Sequence, residues 1–302
     1  MHNTPLRTLL SALLLLTAPL SSAGPLRDKL QEWRAERQAP HAQIQRDLAY
    51  SSDKQQRLDL YLPTNAQQAP VLLMVHGGSW RLGDKGAAAV VDNKVKRWLP
   101  KGFIFVSINY RLLPAAAPLE QADDVARALA FVQQQASGWG GDPRKIILIG
   151  HSAGAHLVSL LAARPQRAYD LGAKAWLGSV ALDSAAMDVE QIMQGAHARF
   201  YDQAFGASPA YWAATSPLRQ LDKTATPLLA VCSSQRSDSC PAARKFVAAA
   251  SRLGVNAQLL SQDRSHKAIN QDLGADNAYT REVEDFMATL DSEVARRLGV
   301  TP

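Results

Sequence analysis

Short apolar runs recur along the chain and are separated by stretches with helical spacing. Residues 71–75, 104–108 and 145–149 are short apolar runs, the pattern of strands buried on both faces, and 175–182, 228–231 and 255–260 are strand-like as well. Residues 57–62 alternate apolar and polar positions as a half-buried strand does, and Pro63 ends the run. Between these lie helical patterns over 85–98, closed by Pro100 and Gly102, and over 119–135, where Val125, Leu129 and Val132 share one face. Further helical patterns cover 155–163, 241–253 and 281–298. This alternation predicts an α/β fold with a doubly wound, mostly parallel sheet and helices on both faces. Residues 24–45 are charged and helix-prone, with Leu26, Leu30 and Trp33 on one face, and are expected to form a surface lead-in. Residues 184–226, rich in Met, His, Tyr and Trp, interrupt the rhythm after the sixth strand; their composition suits either a lid or a substrate wall. There is no internal repeat, low-complexity tract or linker, so one domain over 24–302 is expected.

The first residues change this picture at one end only. Arg7, the apolar stretch 9–16 and the small residues Ser21-Ser22-Ala23 have the order of a cleavable secretory leader, predicting removal of residues 1–23 and a periplasmic or extracellular location. The apolar stretch is too short to span a bilayer, so no stable membrane insertion is expected. The chain has 33 basic and 27 acidic residues, a net charge of +6, and loss of Arg7 leaves +5. The basic residues are dispersed, which argues against nucleic acid as a partner. Cys232 and Cys240 are the two cysteines, and in an exported protein such a pair is expected to form a disulfide. The histidines and cysteines have no metal-ligand spacing.

Chemistry concentrates at Gly150-His151-Ser152-Ala153-Gly154, between the run 145–149 and the helical pattern 155–163. A serine on a sharp strand-to-helix turn is a nucleophile elbow, and glycines without Cβ atoms permit the close backbone approach such a turn needs. A serine nucleophile requires a base. His151 adjoins the serine with its side chain expected to point away, His156 is expected to pack on the sheet, and His76, His41 and His197 belong to other segments. His266, in a polar loop after the last strand-like run, is the candidate base. A carboxylate must orient it. Asp238, after the run 228–231, is the first choice, and Asp183, at the end of the preceding run, is the alternative. A Cys232–Cys240 bridge would then clamp the loop carrying Asp238. The stretch His76-Gly77-Gly78-Ser79-Trp80 follows a strand and can turn backbone donors inward, so the oxyanion donors are expected at Gly78, Ser79 and Ala153. Trp80 either lines the acyl pocket or packs beneath the loop.

With its H-G-G-x-W loop and G-H-S-A-G-A-H elbow, the chain resembles the esterase/lipase branch of the α/β-hydrolases. That branch includes secreted carboxylesterases, feruloyl- or acetyl-esterase-like enzymes and kynurenine-formamidase-like enzymes. The likeness extends over residues 57–63, 76–85, 109–112, 141–158, 216–217 and 266–274. It implies a sheet of about eight strands and a Ser-His-Asp mechanism without cofactor or metal. The acid loop is its least regular part, since Ser233-Ser234-Gln235-Arg236-Ser237 stands where the family has a glycine before the acid. The expected activity is hydrolysis of small or medium carboxylic esters through an acyl-enzyme on Ser152. A formamidase-type amidase on the same residues is the alternative, and a non-catalytic binding protein of the same fold is a remote third.

Overall fold

A computed structural model describes residues 43–300; the expected leader and the lead-in up to residue 42 lie outside them. In chain order the strands are β1 (Gln43–Ala49), β2 (Arg57–Leu62), β3 (Ala69–Val75), β4 (Ile104–Ile108), β5 (Gly141–His151), β6 (Gly178–Leu182), β7 (Leu228–Ser233) and β8 (Ala257–Gln262). They form one sheet in the order β1-β2-β4-β3-β5-β6-β7-β8. β1 and β2, and β2 and β4, pair antiparallel; every later neighbour is parallel. The helices are α1 (Ala88–Trp98), α2 (Pro118–Gln135), α3 (Ala153–Ala163), α4 (Gln166–Tyr169), α5 (Val189–Gln194), α6 (Arg199–Phe205), α7 (Pro209–Thr215), α8 (Pro217–Gln220), α9 (Ser239–Arg252), α10 (His266–Gln271), α11 (Ala278–Ala288) and α12 (Ser292–Leu298).

The two-residue period of the strands divides the core. Val71, Leu73, Val75, Val106, Ile146, Leu148 and Ala230 face one side, packed with α2 and α3. Leu72, Met74, Phe105, Ile147, Ile149, Leu182 and Val231 face the other, packed with α1, α11 and α12. Both sides are apolar, which is why these strands read as continuous runs rather than alternating ones.

Three expectations shift. Residues 43–45 belong to strand β1, not to a helical lead-in; β1 lies at the sheet edge and is mostly exposed, so its sequence QIQRDLA has no apolar signature. The helix predicted from residue 85 starts at Ala88, because Lys85 is held as loop: its N–H donates to Asn109 Oδ1 at 2.7 Å, and its Nζ pairs with Asp47 at 2.8 Å and Asp59 at 2.9 Å. The helix predicted over 281–298 is two, since Asp291 caps α12 by accepting from the N–H groups of Glu293 and Val294.

Parallel register brings the C-terminal ends of the central strands to one edge. Val75 pairs with Gly150, His151 with Leu182, and Leu182 with Val231. The chain passes from β3 outward to β4 and returns to β5 on the other side, so the order switches between β3 and β5. The crevice beyond such a switch is where open α/β sheets place their sites. Residues 184–226 form α5 to α8 with their connections. Cys232 and Cys240 are bridged, with their Cα atoms 5.0 Å apart. Among the described residues no helix is long and apolar enough to cross a membrane.

Candidate active site

Ser152 stands at the switch point with φ 55° and ψ −115°, a left-handed conformation that a non-glycine residue adopts only when its surroundings impose it. Both sides impose it here. The Ser152 N–H donates to Leu182 O at 2.9 Å, and its carbonyl accepts from the His156 N–H at 3.1 Å. Behind it, α3 is buried along its whole length, so the turn cannot relax outward.

The loop after β3 presses directly on this turn. A Cβ added to Gly77 would lie 2.9 Å from the Ser152 Cβ and 2.9 Å from His151 O and Nδ1, so only glycine lets the two segments meet. Gly78, Ser79 and Trp80 then have φ of 128°, 51° and 60°. The Arg81 and Leu82 N–H groups return to Gly78 O at 3.0 Å, and among the described residues the Gly78 and Ser79 N–H groups donate to no protein acceptor. His76 anchors the loop from below: its ring stacks on Tyr110 at 4.5 Å, Tyr110 Oη–H donates to His76 O at 2.9 Å, and its Nδ1 contacts Gly77 O at 2.7 Å. Burial pushes the His76 imidazole below its ordinary range and keeps it neutral.

Trp80, 3% exposed, is packed beneath the loop rather than open to solvent. Its Nε1–H donates to His156 Nδ1 at 3.2 Å, which leaves His156 Nε2–H to donate to Thr215 O at 2.7 Å. His156, buried in α3, links the glycine loop to α7, and burial, against the Thr215 bond, holds it neutral, down to about 4.

His266 opens α10, whose cap is Ser265. Its Nδ1–H donates to Asp183 Oδ2 at 2.5 Å. Asp238, the acid expected first, is not at the histidine: its side chain is 52% exposed, and its Oδ2 pairs with Arg236 Nη2 at 2.9 Å. Asp183 follows Leu182, the residue paired with His151, so its carboxylate emerges beside the elbow, whereas Asp238 sits at the start of α9 beyond a loop that turns it outward. Asp183 is fully buried and φ 56° fixes its backbone. Its Oδ1 accepts from the Ser233 N–H at 2.7 Å and from Ser239 Oγ–H, and its Oδ2 also accepts from Arg236 Nη1 at 2.9 Å. Burial alone would raise its pKa; the bonds from His266, Ser239 and Ser233 and the Arg236 charge outweigh it and hold the carboxyl well below the usual range.

Two neighbours of His266 have no signal of that role in the sequence. His151 turns toward His266, with Nε2–H donating to His266 O at 3.0 Å and the rings 4.6 Å apart. Burial, and then His266 itself, push its pKa down to about 3, so it stays neutral beside His266. Arg236 reaches into the carboxylate from the 233–239 loop, a residue type with no local signal for such a place.

Aromatic side chains of α6 pack against the glycine loop. Trp80 lies 4.9 Å from Phe205, 5.9 Å from Tyr201 and 6.4 Å from Phe200, ring centre to ring centre. Tyr201 is pushed up to about 12, by burial first and then by Asp238, against Arg236. Among the described residues, Leu82 (71%) and Phe200 (36%) are two of the three exposed large apolar side chains, and both belong to segments around this site.

Strand order, elbow and histidine loop together define an α/β-hydrolase fold. Solved structures agree: esterase B from Lactobacillus rhamnosis superposes with TM-score 0.67 at 19% identity over 90% of this chain and 94% of its own. A truncated carbohydrate esterase from gut microbiota gives 0.69 at 17% identity over 84% and 97%. The BD-FAE family model matches residues 58–239, and the chain belongs to that family. Among curated relatives, a probable isoprenylcysteine alpha-carbonyl methylesterase of Oryza sativa subsp. japonica is 35% identical over 119 residues, 39% of this chain and 27% of that protein. Esterase LipQ of Mycobacterium tuberculosis is 41% identical over 96 residues, 32% and 22% of the two chains. The matched region is about a quarter of the length of these relatives.

Proposed function

We propose that the protein is an exported serine carboxylesterase that hydrolyses small or medium carboxylic esters through an acyl-enzyme on Ser152. The observation that carries this reading is the His266 Nδ1–H bond to the buried Asp183 carboxylate, beside a strained serine elbow. Asp183 is the acid in this scheme, in place of Asp238. With Nδ1–H committed to Asp183, the free imidazole nitrogen is Nε2, the tautomer that can accept the Ser152 proton. Ser152 Oγ attacks the ester carbonyl, and the tetrahedral oxyanion is received by the N–H groups of Gly78, Ser79 and Ala153. His266 returns the proton to the leaving alkoxide. Water, activated by the same histidine, then attacks the acyl-enzyme and releases the acid. Asp183 fixes the ring and stabilises the cation formed in each half-reaction.

Residues 184–226 supply the substrate wall in this reading, supported by the contacts of Phe200, Tyr201 and Phe205 with Trp80. The Cys232–Cys240 bridge supports export, because such bonds persist in oxidising compartments. The leader itself lies outside the described residues, and cleavage near Ala23 rests on the sequence. A series of p-nitrophenyl esters of increasing acyl length tests the proposal: turnover is expected for acetate and butyrate and absent in Ser152→Ala. Equal turnover by Ser152→Ala, or a strong preference for N-formylkynurenine over phenyl acetate, overturns it.

A further inference from the structure

The three groups that hold Asp183 besides His266 come from one short segment. Ser233 N–H and Ser239 Oγ–H both donate to Oδ1, and Arg236 Nη1 donates to Oδ2. All three lie between the bridged residues Cys232 and Cys240. The same segment reaches the chain leading to the base: Ser233 Oγ–H donates to Arg264 O at 2.6 Å, and Gln235 Nε2–H to Asp263 Oδ1 at 3.0 Å. Its outer side is tied by Asp238, which holds the second guanidinium nitrogen of Arg236.

We propose that the disulfide-closed loop 232–240 is a preformed cradle for the Asp183 carboxylate, in which Ser239 is a positioning residue that acts on His266 through Asp183. The inference rests on Asp183 being the acid of the reaction. A buried carboxylate needs its oxygens satisfied, and each donor that does so also fixes the direction in which the remaining lone pair points. The lone pair left to His266 sets the plane of the imidazole. Ser233 lies at the end of β7 and Ser239 at the start of α9, and the bridge joins the residues flanking them, so the two donors to Oδ1 keep their separation whatever the exposed residues between them do. Arg236 Nη1 also lies 3.0 Å from His266 Nδ1. Both are donors, so the carboxylate between them is what holds them together, and the guanidinium limits where Oδ2 can sit.

The test compares five variants, Ser239→Ala, Ser239→Thr, Cys232→Ala/Cys240→Ala, that bridge-free protein with Ser239→Ala added, and Asp183→Asn, by steady-state kinetics on p-nitrophenyl butyrate and by thermal melting. Ser239→Ala is expected to lower kcat about tenfold with KM changed less than about twofold, the effect of one lost bond to a charged group. Ser239→Thr, which keeps the hydroxyl, restores kcat. The folded bridge-free variant lowers kcat with KM unchanged, and adding Ser239→Ala to it costs less than the product of the two losses. If Ser239→Ala and the bridge-free protein keep wild-type kcat while Asp183→Asn is inactive, the cradle is wrong and the assignment of the acid stands. If Asp183→Asn keeps wild-type kcat, the acid itself is misassigned. Should the bridge-free protein fail to fold, the Ala and Thr variants at 239 decide alone.

Discussion

Replacing Asp183 by Asn separates it from Asp238 more sharply than any other change. In the wild type Oδ2 lies 2.5 Å from His266 Nδ1 and 2.9 Å from Arg236 Nη1, while Oδ1 takes the Ser233 N–H at 2.7 Å and the Ser239 hydroxyl. Asparagine keeps the shape but has one acceptor oxygen and an NH2 group. With the oxygen facing Ser233 and Ser239, the NH2 faces His266 Nδ1, which must then lose its proton and accept. The hydrogen moves to Nε2, the tautomer unable to take a proton from Ser152. A loss of about 10³- to 10⁴-fold in kcat, or roughly 4–5.5 kcal/mol of barrier, follows. Arg236 retains Asp238 and is 26% exposed, so its lost partner costs stability nearer about 1.5–3 kcal/mol than the larger penalty of a fully buried pair. Asp238→Asn removes a half-exposed partner of Arg236 alone, worth about 1 kcal/mol or less, and leaves kcat within about threefold. The assay is kcat on p-nitrophenyl butyrate at saturating substrate, with melting temperatures run in parallel. A folded Asp183→Asn protein within tenfold of wild type, with Asp238→Asn reduced about a thousandfold, would refute the reasoning.

Three further outcomes follow from the same geometry. Gly77→Ala places a methyl 2.9 Å from the Ser152 Cβ and should cut kcat at least about a hundredfold by moving the oxyanion loop, with turnover near wild type as the contrary result. Lys94 is buried, with Nζ donating to Ala89 O at 3.1 Å and Asn270 O at 2.7 Å, and burial lowers its pKa to about 7 from 10.5. Between those values the unfolded chain binds the proton and the folded chain does not, so stability rises with pH over that window, by at most about 1.4 kcal/mol per pH unit; Lys94→Met should flatten the wild-type slope of denaturant midpoint between pH 7 and 10, and identical slopes would exclude the effect. Phe200→Ala opens the exposed end of the aromatic wall and should raise KM for longer acyl esters more than for acetate, whereas a uniform change across the series would remove Phe200 from the substrate path.

Much of the architecture was legible because central parallel strands are apolar on both faces, and runs such as 71–75 and 145–149 admit few other readings. Strand β1 was not, since an exposed edge strand carries no such pattern. The break between α11 and α12 has only a local signal, the Asp291 cap within Asp-Ser-Glu at 291–293, against a helical period that runs on across it. The elbow and the glycine loop are local in sequence and so were readable as motifs. The acid is not local. Asp183 and Asp238 both follow strand ends, and only the sheet order, which sets β6 beside β5, and the outward turn of the bridged loop distinguish them. His156 illustrates the same limit: it is buried, but its hydrogen-bond partners Trp80 and Thr215 lie 76 and 59 residues away and carry no local signal.

The most direct measurement is covalent. Intact-mass and peptide mass spectrometry after treatment with diethyl p-nitrophenyl phosphate should show one diethylphosphoryl adduct per chain, located on Ser152, formed with loss of ester turnover and absent in Ser152→Ala. An adduct on another residue accompanying that loss, or full turnover by a protein whose Ser152 is completely modified, would contradict the assignment of Ser152 as the nucleophile.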